Sequence, residues 1–229
     1  MRIGVNPKFV FLILLASIGL LVTAHCLVFV SVFLLPSEDF AAAVRMFSLD
    51  HEANVPSWFS SGILMLSGSL LLLIGLGHRS RSEPWLLWAL LALVFVFLSL
   101  DELAVIHEGL GRRFGDLLNA EGIVREYAWV LPYGLAAIGL GLSYLPFLFR
   151  IPARQRILVM VGGCVYILGA VGVELATSLF WNPGELTWQY YALVTLEESC
   201  EMAGIAIFVL GLLEYMKLER LTVAFSAKS

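Results

Sequence analysis

Six stretches of twenty or more predominantly apolar residues run through this chain, at about 9–35, 57–77, 84–108, 128–149, 157–180 and 188–215. About 20 apolar residues in a helix cross a bilayer core. Inside lipid a helix is the one single-segment structure that satisfies its own backbone hydrogen bonds. The expected fold is therefore all-α: a polytopic integral membrane protein with six transmembrane helices in one bundle, a single domain over residues 1–229. Composition agrees, because 60% of the 229 residues are apolar and 14% are charged, against about 25% charged in soluble domains. The first run follows Arg2 and Lys8 as a signal peptide would. It continues past Cys26 to Leu35, well beyond the 7–15 residues of a cleavable apolar region, and so reads as a first span.

Charge orients the bundle. The connections HRSRSE (78–83) and RIPARQR (150–156) are short and basic. With both termini on their side, ten of the 14 Lys and Arg lie there: Arg2, Lys8, Arg79, Arg81, Arg150, Arg154, Arg156, Lys217, Arg220 and Lys228. The positive-inside rule makes that side cytoplasmic, in a bacterial-type inner or plasma membrane. In the first outer loop Ser37 is expected to cap a short interfacial helix over 37–47, with Phe40, Val44 and Phe47 on one face. The second outer stretch, 109–127, reads as a short helix between turns. Trp58, Trp129, Trp181 and Trp188 fall near outer boundaries and Trp85 and Trp88 near inner ones, as an aromatic belt would.

Seven carboxylates interrupt the apolar runs: Asp101, Glu102 and Glu108 in the third, Glu174 in the fifth, and Glu197, Glu198 and Glu201 in the sixth. No Lys or Arg stands at the same depth to balance them. One ionised side chain near the bilayer centre costs roughly 2.5–3.5 kcal/mol even on the lenient insertion scale. With a helical rise of about 1.5 Å per residue, these acids lie roughly 10–20 Å below the outer surface, and His25 of the first span reaches the same layer. On a continuous third helix Asp101 and Glu108 share a face, with Glu102 and His107 on its flanks; on the sixth, Glu197 and Glu201 share one. Charged residues in a span face the bundle interior or a wet cavity. Helices three and six are expected to turn these faces together, with Glu174 and His25 at the sides. Asp50, His51 and Glu52 sit in an outer loop and read as solvated. The segments FSLDHEANV (47–55) and LSLDELAVI (98–106) echo each other too briefly to imply a duplication.

Carboxylate and imidazole donors together suit Fe, Mn or Zn. The metal reading makes Asp101, His107, Glu108, Glu174, Glu197, Glu201 and His25 ligands of a divalent metal, with Glu198 or Glu102 as general base. The protein would then be a metal-dependent membrane hydrolase or oxidase acting on a lipid or another amphipathic substrate reached from the non-cytoplasmic side. A cation- or proton-coupled transporter could use the same acids. The inner halves of the spans, such as FVFLILLASIGLL and WLLWALLALVFVFL, are almost wholly apolar and offer an ion no path. A structural subunit pairing its acids with a basic partner is the third class. No P-loop, GxSxG, HExxH or dinucleotide fingerprint is present, and the four histidines are isolated. Cys26, Cys164 and Cys200 form no CxxC. A formal charge of −4 without a basic run gives nucleic acid nothing to bind.

Overall fold

The computed structural model is all-helical among the described residues. The structure describes residues 4–34, 41–121, 123–180 and 187–221. Helix α1 (Pro7–Leu34) leads to the short α2 (Ala41–Phe47); the expected cap at Ser37 lies outside the described residues. Helix α3 (Val55–Ser80) starts at Asn54, whose side chain accepts the Ser57 amide while the Ser57 hydroxyl accepts the Asn54 amide, with Pro56 in the first turn. Helix α4 (Leu86–Ala104) returns along it. Then come α5 (Ile106–Leu117), the single turn α6 (Ile123–Glu126), α7 (Val130–Leu148) and α8 (Ala153–Ile167). A π-helical segment, Leu168–Val173, joins α8 to α9 (Glu174–Ser178), and α10 (Trp188–Leu218) closes the chain. Among the described residues six helices are long and apolar enough to cross a membrane, as in a multi-pass membrane protein.

The third expected span is shorter than the apolar run suggests. Val105 adopts φ 54°, in the left-handed region that a β-branched residue avoids, and this bend separates α4 from α5. The free amides of the new helix start have a partner: the Asp101 carboxylate accepts the His107 N–H at 2.7 Å. Asp101 and Glu108 therefore do not lie on one continuous helix face, and His107 and Glu108 belong to α5.

The tight part of the bundle is α3 with α10. About half of their spanning windows is buried, 56% and 50%, against 17% for α1 and for α7. Leu64, Leu71 and Ile74 of α3 meet Met202, Val209 and Leu212 of α10 in its centre. Gly162 and Gly204 let α8 and α10 touch backbone to backbone, since a Cβ on Gly162 would stand 2.7 Å from the Gly204 carbonyl. Helix α7 is peripheral, with Leu131 and Leu135 facing outward. Trp58 and Trp188 are exposed as a belt requires, but Trp88 and Trp129 are buried, and Trp181 lies outside the described residues. Trp88 stacks on His78 at 5.8 Å inside the bundle.

Candidate functional site

The loose packing of α7 leaves a cavity of about 1260 Å³ between it and α4, α8, α9 and α10. Its lining divides by chemistry. At one end stand carboxylates: Asp101 and Glu102 from α4, Glu108 from α5, Glu174 from α9, and Glu197, Glu198 and Glu201 from α10. All seven acids singled out in the apolar runs line this one space. Asp50 and Glu52 join them from the loop 48–54, and no Lys or Arg among the described residues lines the cavity. The other end is an apolar arm between α4, α7 and α8, walled by residues such as Leu91, Val94, Leu148, Val159 and Phe208. Small residues widen it: Ala136, Ala137 and Gly141 on α7, Gly163 and Ala170 across from them.

Local structure delivers the acids. The π-helical segment ends at Glu174, and such segments recur at functional sites because they re-aim side chains within a helix. Its Gly169 brings this chain segment against the acid triplet: a Cβ there would lie 2.8 Å from the Glu197 carbonyl and 2.9 Å from Glu201 Cγ. The Thr177 hydroxyl donates to Glu197 Oε2 at 2.9 Å. Among the described residues Glu102, Glu198 and Glu201 have no hydrogen-bond or ion-pair partner.

At the rim, His107 stands between two acids. Its Nδ1 lies 3.4 Å from Asp101 Oδ2 and its Nε2 3.7 Å from Glu52 Oε1. Burial alone would lower the His107 pKa, but the Asp101 hydrogen bond and the charges of Asp101, Glu52 and Glu108 outweigh it and raise it. Burial, helped by Glu108, Asp101 and Glu174 and opposed by His107, pushes Glu52 up to about 7. Burial also raises Asp50, against the pull of the Tyr190 hydrogen bond and of His51. Burial and the charges of Glu174, Glu197 and Asp50 raise the Tyr127 phenol above its ordinary value. Tyr133 donates to Asp101 Oδ1 at 3.2 Å and Tyr190 to Asp50 Oδ1 at 2.6 Å. Glu108 is half-exposed and held by Arg112 at 3.0 Å, one helical turn on. A smaller cavity of about 690 Å³ shares Asp50, His51, Glu52 and Glu108 and is lined on its far side by Arg45 of α2.

His25 is not part of this site. It lies on α1, which does not line the cavity, and is 2% exposed. Its Nδ1 accepts the Leu49 N–H at 2.9 Å, so depth matched the acids but azimuth did not. The histidine acts on the site at one remove, by pinning the loop that carries Asp50 and Glu52. Those two loop acids, read from sequence as solvated, are cavity residues. The expected divalent-metal shell is not assembled: among the described residues no three His, Cys, Asp or Glu side chains converge closely enough to hold an ion.

Residues 11–215 match the model of one protein family, Domain of unknown function (DUF8692). The matched span takes in every cavity carboxylate, from Asp50 to Glu201. Among curated proteins and among solved structures, none matches.

Proposed function

We propose that this chain, which belongs to the DUF8692 family, takes up an amphipathic molecule from the membrane, holds its head group among the carboxylates and its tail in the apolar arm, and exchanges protons with the head through His107. The observation that carries this reading is the division of one continuous cavity into an acidic chamber and an apolar arm. Ligand pockets of about 300–1,000 Å³ already enclose drug-sized molecules, so the space suffices for a long-chain amphiphile. From Glu174 down to Val159 the arm follows fifteen residues of helix, roughly 20 Å at the helical rise. The lateral gap beside α7 offers a route from the lipid.

His107, flanked by Asp101 and Glu52, is a group that can accept or donate a proton near neutral pH, which general acid–base chemistry requires. The apolar arm favours this reading over ion transport, because no charged side chain among the described residues lines a path through its inner half. The bias of Lys and Arg toward one side supports a chamber facing the non-cytoplasmic side.

Photolabelling of the membrane-embedded protein with a fatty alcohol carrying a diazirine on its tail tests uptake. Adducts are expected on the inward face of α7, at Ala136, Ala137, Leu140 and Gly141, and on Gly163. They are expected to disappear in Gly163→Phe, whose new side chain meets open space rather than a neighbour. Labelling confined to the outward residues Leu131 and Leu135, which do not line the cavity, would overturn the proposal.

A further inference from the structure

We infer that the head group the chamber takes is a cation, an ammonium borne on a long aliphatic chain, and not a phosphate or an uncharged polyol. This rests on the amphiphile reading above and specifies its ligand. Three features on separate elements converge on it.

The first is the charge of the wall. Among the described residues nine carboxylates line the cavity and no Lys or Arg does. A phosphate or sulfate head would meet nine carboxylates against only the imidazoles of His51 and His107, and anions are recognised where Arg, Lys or helix N-termini gather. Even a zwitterionic phospholipid head would bring its phosphate against these acids. Net positive charge is the one head-group charge that the wall complements.

The second feature is unused binding capacity. Glu102, Glu198 and Glu201 line the cavity without a hydrogen-bond or ion-pair partner among the described residues. Their neighbours are committed: Asp101 receives the His107 amide and the Tyr133 hydroxyl, and Glu197 receives Thr177. These three are half-buried and open onto the cavity, so their oxygens are free to accept hydrogen bonds from a molecule inside it. A primary ammonium carries three donors, and these carboxyls offer it acceptors on the cavity wall.

The third feature is aromatic. Trp129 and Tyr133 lie edge to face with ring centroids 5.5 Å apart, and Trp129 sits 4.8 Å from the His107 ring. Trp129 is buried and lines the cavity beside Asp101. Two rings meeting at a corner next to carboxylates present π faces to a cation, the arrangement by which proteins recognise quaternary ammonium groups. A polyol would gain nothing from such a corner.

Four probes of equal chain length separate the outcomes: tetradecylamine, tetradecyltrimethylammonium, tetradecanol and tetradecyl phosphate. Each is titrated into the full-length protein in maltoside micelles, with binding read by tryptophan fluorescence. Both cations are expected to bind at least about tenfold more tightly than the alcohol, equivalent to 1.4 kcal/mol, and the phosphate not at all. Glu198→Gln/Glu201→Gln is expected to weaken both cations about tenfold or more and leave the alcohol unchanged, with Glu201→Gln alone used if the pair does not fold. Trp129→Leu, read by melting shift, is expected to weaken the trimethylammonium probe more than the amine. Equal binding of cations and alcohol would overturn the cationic head while leaving amphiphile uptake standing. Binding of the phosphate as tightly as the amine would also overturn it. Absence of binding by all four, together with outward-only photolabelling, would remove both.

Discussion

The two ends of the bundle treat glutamate in opposite ways. At the basic end each carboxylate has a partner: Glu214 meets Arg154 at 2.8 Å, Glu219 meets Arg81 at 3.4 Å, and Glu83 meets His78, whose other nitrogen bonds Tyr215. At the acid end Glu102, Glu198 and Glu201 face a cavity that no Lys or Arg among the described residues lines. The paired acids join helix ends and connecting turns, so their role is complete within the chain. The unpaired ones sit deeper in the spans, where an unmatched charge is dearest, and their role is incomplete without a proton or a ligand. The same residue type thus serves structure at one end and chemistry at the other.

The contrast can be broken most forcefully at Gly169, where the acid layer depends on a close backbone approach. Gly169→Leu would drive the π-helical segment off α10 and is expected to lower unfolding free energy in micelles by roughly 2–3 kcal/mol, as overpacking does. Gly163, six residues earlier with open space before it, is expected to accept a large side chain with little loss. Next in size is the paired end. Arg154→Ala strands Glu214, whose side chain is 13% exposed, and is expected to cost about 1 kcal/mol in the same unfolding measurement. Glu198→Gln at the acid end removes no existing partner and is expected to leave unfolding free energy unchanged or slightly raised. Matching losses from both variants would erase the distinction between the ends.

The pH response sharpens the contrast at the acid end. Glu52 titrates at about 7 in the folded protein against an ordinary 4.5, so the native state holds the proton more tightly than the unfolded chain. Stability is therefore expected to fall as pH rises from about 4.5 to 7 and then level off. His107, raised above its ordinary 6.5, contributes stability present below that value and lost as pH climbs through its folded pKa. Glu52→Gln should flatten the lower part of a melting-temperature profile, and an unaltered slope would show that Glu52 is solvated like an ordinary loop acid.

The six spans were legible because bilayer thickness and backbone hydrogen bonding leave a twenty-residue apolar run little choice. The grouping of the acids was legible too, since all seven line one cavity. The azimuth of the first helix was not. His25 stays outside that cavity because α1 packs on α10 away from it, a choice made by side-chain packing rather than by periodicity. The bend at Val105 carries no Gly or Pro to announce it; its one trace is Asp101 standing ahead of a helix start as a capping acid would. Asp50 and Glu52 read as solvated because loop paths are set by distant contacts, here the His25 ring and the Tyr190 hydroxyl. The brief echo between 47–55 and 98–106 ends with both segments lining one cavity, one as loop and one as helix. Trp129 read as a lipid anchor because a boundary position does not reveal which way a ring faces.

The most direct test of the central claim is a high-resolution electron cryo-microscopy map of the protein in lipid nanodiscs with tetradecyltrimethylammonium. An elongated density is expected between α7 and α8, its head beside Glu198, Glu201 and Trp129 and its tail running past Gly163 toward Leu148. A map with α7 closed onto α8 and the acids paired with protein cations, with no room for a tail, would contradict the account.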